Sequence, residues 1–273
     1  MTGTRRRFVQ FLARGAGLLA ASWLAVKAVT ARMTRNPLPA RSVAPDNRKW
    51  VMVIDLAKCD GCRDCTKACT KNHFVPEPQE WIKVFEVADN SAAGSYFLPR
   101  PCMHCDNPPC VRACPVGATF KRTDGIVLMD QDRCIGCRNC IAHCPYSARS
   151  FNWGEPKHTP EEMKVAYSVE RNFPHRRGVV EKCIFCPEML RMNMMPDCAG
   201  ACTMGAIYFG DEMEDAVTNS KGETIQFSTL GEKNSAFRLM EELGTEPRVY
   251  YLPPVNRKYP SPVEKKMRDM GAA

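Results

Sequence analysis

From Trp50 to Leu56 the chain reads as one run of large apolar and β-branched side chains, broken only by Asp55. A run of that length and composition predicts a buried strand. The same pattern predicts strands at Trp81–Val87, Ile126–Met129, Gly178–Val180, Ala206–Phe209 and Arg248–Leu252. Ala118–Phe120 and Ile126–Met129 flank Lys121-Arg122-Thr123-Asp124-Gly125, and the Asp-Gly pair marks a hairpin turn between them. Polar stretches with Gly or Pro at residues 88–95 and 154–175 predict loops. Lys233–Leu243 predicts a helix ended by Gly244. The tail from Pro253 holds four prolines and predicts an extended arm. Apolar runs reach nowhere near the 18 or so residues of a membrane span.

Charge divides the chain unevenly. Its 273 residues carry a formal charge of +8. Residues 1–50 hold ten basic side chains against Asp46 alone, so the remainder is close to neutral. The basicity therefore belongs to a leader and not to a nucleic-acid surface. Within residues 1–31, Thr4-Arg5-Arg6-Arg7-Phe8-Val9-Gln10 precedes a short apolar stretch, Gly15–Val26, and then Val29-Thr30-Ala31. Two arginines before an aromatic resemble the twin-arginine signal, which exports folded proteins. The expectation is a periplasmic protein attached to the inner membrane through a partner, with residues 32–49 as a linker. An amphipathic basic helix lying on a membrane is the competing reading.

The 16 cysteines change the picture most. They fall into four runs of four with none left over. The first is Cys59, Cys62, Cys65 and Cys69, spaced C-x2-C-x2-C-x3-C, and the third, Cys134, Cys137, Cys140 and Cys144, repeats it. The second is Cys102, Cys105, Cys110 and Cys114; the fourth is Cys183, Cys186, Cys198 and Cys202. Iron–sulfur cubanes need four thiolates each, and three cysteines at tight gaps wrap one face of a cube. Structural zinc prefers two separated pairs, three crowded cysteines pair poorly as disulfides, and the C-x-x-C-H string of attached haem is missing. Pro115 and Pro145 follow the last cysteine of their runs, as in bacterial ferredoxins; Thr70 and Thr203 stand there in the other two.

In two-cluster ferredoxins the last cysteine of a run serves the neighbouring cluster. That crossing rule assigns Cys102, Cys105 and Cys110 with Cys144 to one cluster, and Cys134, Cys137 and Cys140 with Cys114 to its neighbour. It assigns Cys59, Cys62 and Cys65 with Cys202 to a third, and Cys183, Cys186 and Cys198 with Cys69 to a fourth. The expected fold is α+β, with two pseudo-symmetric bacterial-ferredoxin-like modules, one inserted in the other. Residues 95–151 form the inserted module, residues 50–94 and 152–210 the halves of the split one, and 211–273 a C-terminal extension and tail. The parallel of Cys202-Thr203-Met204-Gly205-Ala206 with Cys114-Pro115-Val116-Gly117-Ala118 supports the repeat.

Four runs in this order, with the stretches 101–110 (PCMHCDNPPC) and 180–186 (VEKCIFC), resemble the four-cluster iron–sulfur subunit of complex iron–sulfur molybdoenzymes, the dimethyl sulfoxide, polysulfide and tetrathionate reductase type. The resemblance covers about residues 50–253. It implies four [4Fe–4S] clusters and no catalytic residue. It implies two partners, a catalytic oxidoreductase subunit that would carry molybdopterin and a polytopic quinone-binding membrane subunit, with no small-molecule substrate and no nucleic acid of the chain's own. Related membrane complexes, associated with sulfite reduction or with hydrogenase, are the alternative. A self-contained oxidoreductase needs an open iron corner, and no cysteine of the sixteen is missing.

Sixteen thiolates on four dicationic cores leave about −8 in the interior. Lys58, Arg63, Lys67, Arg112, Arg133, Arg138, Arg149 and Lys182 lie near the runs and are candidates to offset it; ordinary surface solvation is the alternative. His104 and His143 lie inside runs and are expected to pack or hydrogen-bond. Met192, Met194 and Met195 are expected to pack adaptably, against the core or a partner.

Overall fold

The computed structural model describes residues 47–87 and 95–255. The leader, most of the loop expected at 88–95 and the tail beyond Val255 lie outside the described residues. Four strands follow the apolar runs closely. They are β1 (Trp50–Asp55), β2 (Lys83–Val87), β5 (Val127–Met129) and β8 (Ile207–Asp211). A fifth, β11 (Val249–Leu252), begins one residue later than expected. The strand expected at Gly178–Val180 is β7, Val180–Glu181, where pairing with β6 (Ser150–Phe151) begins. Strands β3 (Tyr96–Arg100) and β4 (Thr119–Lys121) complete the set around the cysteines, β4 pairing with β5 as the hairpin expected there.

Each cysteine run sits between an entry strand and an exit strand. The exit strand of one run pairs antiparallel with the entry strand of the next: β2 with β3, β4 with β5, β6 with β7. The fourth exit strand, β8, returns to pair with β1, the first entry strand. The four units thus close on themselves.

That closure is built into a five-stranded sheet of order β10-β9-β8-β1-β11. Strands β9 (Ala216–Asn219) and β10 (Thr224–Gln226) come from a polar stretch without an apolar signature. Alternation along β1 splits its side chains between two cores. Met52 and Ile54, with Ile207, Phe209, Val249 and Tyr251, face the cysteines; Val51 and Val53, with Tyr208, Val217 and Leu252, face the other way. The second face is closed by Leu230, Phe227 and Ile225. The sheet is a wall behind the cysteine-bearing loops.

Among the described residues the helices are few and short. Four carry the C-x3-C ends or sit just before them: α1 (Asp64–Asn72), α2 (Pro109–Arg112), α3 (Asn139–Ala142) and, after α4 (Pro160–Met163) and α5 (Pro187–Arg191), α6 (Asp197–Gly200). Helix α1 packs on α6, and α2 on α3.

Two expectations fail. The helix expected over Lys233–Leu243 is instead α7 (Leu230–Asn234), a reversal at Ser235 with φ 51°, and a 3-10 turn at Glu241–Leu243. The reason is tertiary: Phe237 exchanges both backbone hydrogen bonds with Tyr251, at 2.9 and 2.8 Å, which a helix forbids. The expected loop 154–175 contains α4, capped where the Glu162 N–H donates to Thr159 Oγ1 at 3.2 Å, with Pro160 in its first turn.

Candidate metal centre

The cysteine loops curl because one residue in each opening C-x2-C adopts a left-handed conformation. Gly61 and Gly136 do so freely, at φ 74° and 69°, whereas His104 and Phe185 do so against steric preference, at 43° and 60°. Those two strained residues stack on each other with ring centroids 3.7 Å apart, so packing holds what the backbone resists. At Gly136 an added Cβ would lie 2.4 Å from the Gly178 carbonyl oxygen.

None of the sixteen cysteines is in a disulfide. They gather by fours, three from one run and one from another. Cys102, Cys105, Cys110 and Cys144 line one cavity with Tyr146 and Arg149. Cys134, Cys137, Cys140 and Cys114 line a second with Val180 and Arg138. Cys69, Cys183, Cys186 and Cys198 line a third with His73, Trp81 and Phe185. Cys59 and Cys65 stand close enough to Cys202 for their charges to interact, and Cys65 likewise to Cys62.

Helical spacing explains the crossing. In α1, Cys65 and Cys69 are four residues apart, one turn along the same face, and they serve two adjacent groups. Cys140 and Cys144, Cys110 and Cys114, and Cys198 and Cys202 repeat that step. The groups also fall in a row. Cys65 of the first acts electrostatically on Cys69 and Cys198 of the second. Cys183 of the second and Cys102 of the third are coupled in the same way, as are Cys140 of the fourth and Cys110 of the third.

Burial dominates the thiols. It pushes Cys59, Cys65 and Cys105 up to about 12, and Cys62 and Cys183 up to about 11. Cys69, Cys186 and Cys198 are pushed well above the usual thiol range, again by burial first and neighbouring thiolates second. A metal must displace these protons, and a cation is what makes four clustered thiolates tolerable. Cys114 goes the other way: burial raises it, but the N–H groups of Thr119, Val116, Ala118 and Gly117 together outweigh that and lower it. Backbone N–H groups aimed at sulfur also appear at Cys202, which accepts from Ala206 at 3.3 Å.

The basic residues near the runs divide. Lys182 is fully buried and donates to the carbonyl oxygens of Val127 and, at 2.8 Å, of Cys183. Burial lowers it, opposed by Cys102, Cys183 and Cys110, which places its charge between the second and third groups. Arg149 is buried between the third and fourth; burial lowers it, but Cys110, Cys140 and Cys102 raise it on balance. The others stay nearer the surface: Lys58 pairs with Glu223, Arg63 with Glu80 and Lys67 with Asp64, while Arg138 lies over Trp153. Arg112 bonds Asn107 and Arg133 bonds the Val116 carbonyl at 3.1 Å.

His104 is buried, and burial with the Lys182 charge lowers it well below the usual imidazole range. Its Nδ1 accepts the Val127 N–H at 3.0 Å, so it is a neutral packing residue. His143 turns back to its own helix, to the Asn139 carbonyl at 2.8 Å. Met192 and Met194 are exposed and Met195 packs on the core. The sequence pattern did not single out His73, whose ring touches the Cys186 sulfur; its place four residues after Cys69 was the available signal.

Comparison with known proteins agrees with this donor chemistry. The 4Fe-4S dicluster domain matches residues 93–164 in one form and residues 58–118 in another. A selenate reductase subunit of Mesobacillus selenatarsenatis is 42% identical, over 75% of this chain and 72% of the relative. The chain belongs to the ferredoxin-type iron–sulfur subunits of complex iron–sulfur molybdoenzymes and related respiratory reductases. The menaquinone reductase iron–sulfur cluster-binding subunit of Nitratidesulfovibrio vulgaris is 40% identical, over 75% of the chain and 88% of the relative. A tetrathionate reductase subunit of Salmonella typhimurium is 33% identical over 92% and 89%. Members of this family are electron-transfer subunits, so the chain binds 4Fe-4S clusters and is not the catalytic part of its complex.

Proposed function

We propose that the chain holds four [4Fe–4S] clusters and relays single electrons between a quinone-reactive membrane subunit and a catalytic subunit, a molybdopterin oxidoreductase. The observation that carries this is the row of four cysteine quartets, each crossed between two runs. The ligand sets are those assigned by the crossing rule, and the inserted-module description of the fold follows from them: α2 with α3 serves one pair of clusters, α1 with α6 the other. When bound, each cluster supplies a one-electron site. The chain's own part is to space those sites, bury them, and place Lys182 and Arg149 in two of the three junctions, where cluster charges would otherwise repel.

The terminal acceptors of the relatives differ, so the reaction at the far end belongs to the partner. Export by the twin-arginine route to the periplasm is part of the same reading, since a cluster-loaded chain has to cross folded. Replacing Arg5 and Arg6 by Lys is expected to leave the protein inside the cell; unchanged fractionation contradicts export by that route.

The decisive experiment removes this chain from its complex. Quinol-dependent reduction is expected to stop while the catalytic subunit still turns over with an artificial dye. Quinol-dependent activity that survives without the chain contradicts the relay.

A further inference from the structure

His73 ends helix α1, so Cys65, Cys69 and His73 follow one another at four-residue steps on one side of it. Its side chain is 1% exposed. Nε2 lies 3.1 Å from the Cys186 sulfur and 3.3 Å from Asp197 Oδ2. A metal-bound thiolate and a carboxylate are both acceptors only, so Nε2 carries the proton and shares it between them. The arrangement is built from several sides. Trp81 lies against the ring with centroids 5.4 Å apart, and the His73 carbonyl accepts from His175 Nε2 at 2.7 Å. Asp197 is itself fixed by the Asn72 amide at 2.7 Å.

A hydrogen bond to a ligand sulfur draws electron density from the thiolate and favours the reduced cluster; a carboxylate beside the same sulfur does the reverse. We propose that His73 is a positioning donor that raises the reduction potential of the cluster on Cys69, Cys183, Cys186 and Cys198, with Asp197 acting against it. The inference rests on the proposed assignment of those four cysteines to one cluster. It makes the second site of the row the one whose potential a single buried imidazole sets.

The test is a redox titration followed by electron paramagnetic resonance on the full-length chain in its complex, with iron measured in parallel. In His73→Leu one cluster is expected to become harder to reduce, its reduced-to-oxidised ratio at fixed potential falling about tenfold, which is about 59 mV for one electron. His73→Gln, whose amide N–H can reach the same sulfur, is expected to recover most of the shift. Asp197→Asn is expected to move the same cluster in the opposite direction. Full iron content with no shift in His73→Leu, or a Gln variant as far displaced as Leu, overturns the proposal. Should His73→Leu shed iron, Asp197→Asn decides: an upward shift of a single cluster supports the account, and none overturns it. Cys186→Ser tests the underlying assignment separately. It must perturb the cluster that the His73 variants shift, and four wild-type signals in that variant mean that the ligand assignment itself has failed.

Discussion

Gly136 and Gly178 show how much of the site depends on single backbone conformations. Both have positive φ, 69° and 79°, but only Gly136 is hemmed in, by the Gly178 carbonyl. Gly178→Ala is expected to cost about 1 kcal/mol, the left-handed penalty alone. Gly136→Ala adds a clash with backbone and is expected to lose the cluster beside Cys134, Cys137 and Cys140. Iron content and thermal midpoint of the two variants check this, and equal effects would contradict it. Lys182 carries a different kind of constraint. Lys182→Met leaves the thiolate groups of two neighbouring sites without their shared cation, and a loss of about 3 kcal/mol is expected in denaturant unfolding. Lys67→Met, at an exposed pair with Asp64, is expected to change nothing measurable. The sequence placed both lysines in one group of candidates, because proximity to a cysteine run does not distinguish a buried ammonium from a solvated one. Only the fold, which brings Val127 and Cys183 around Lys182, separates them.

At the scale of elements, the C-x3-C helices are the joints of the molecule, each offering thiols to two sites one turn apart. Pairwise substitution exposes this. Cys144→Ser and Cys102→Ser are expected to alter the same cluster signal, and Cys140→Ser a different one, although Cys140 and Cys144 belong to one run. A shared signal for Cys140 and Cys144 would contradict the crossing. Much at this scale is legible in the sequence. Strands β1, β5, β8 and β11 are dense apolar runs, and the Asp124-Gly125 turn marks the hairpin. What is not legible has physical causes. Strands β9 and β10 are polar because they close the sheet near its edge, and they match no buried-strand pattern. The helix expected at Lys233–Leu243 yields to the bridge of Phe237 with Tyr251, a long-range pairing that local propensity does not register.

The described residues form a ring of four strand–loop–helix–strand units closed by β8 on β1, with the sheet as backing. Its main core runs through cysteines as much as through aliphatic side chains: Cys65, Cys69, Cys102, Cys105, Cys183, Cys198 and Cys202 pack with Met52, Ile54 and Leu128. A core of that composition owes part of its stability to what the thiols bind. Iron removal by a chelator under reducing conditions is expected to lower the thermal midpoint and weaken the near-ultraviolet circular dichroism of Trp81 and Tyr251. An iron-free chain as stable as the loaded one would contradict this.

The most direct measurement is the iron and acid-labile sulfide content of anaerobically purified protein, combined with the resonance spectrum of its fully reduced form. The account expects about sixteen of each per chain, in four magnetically interacting cubanes. Half that content with eight cysteines still titratable as thiols, or zinc in place of iron, would contradict it.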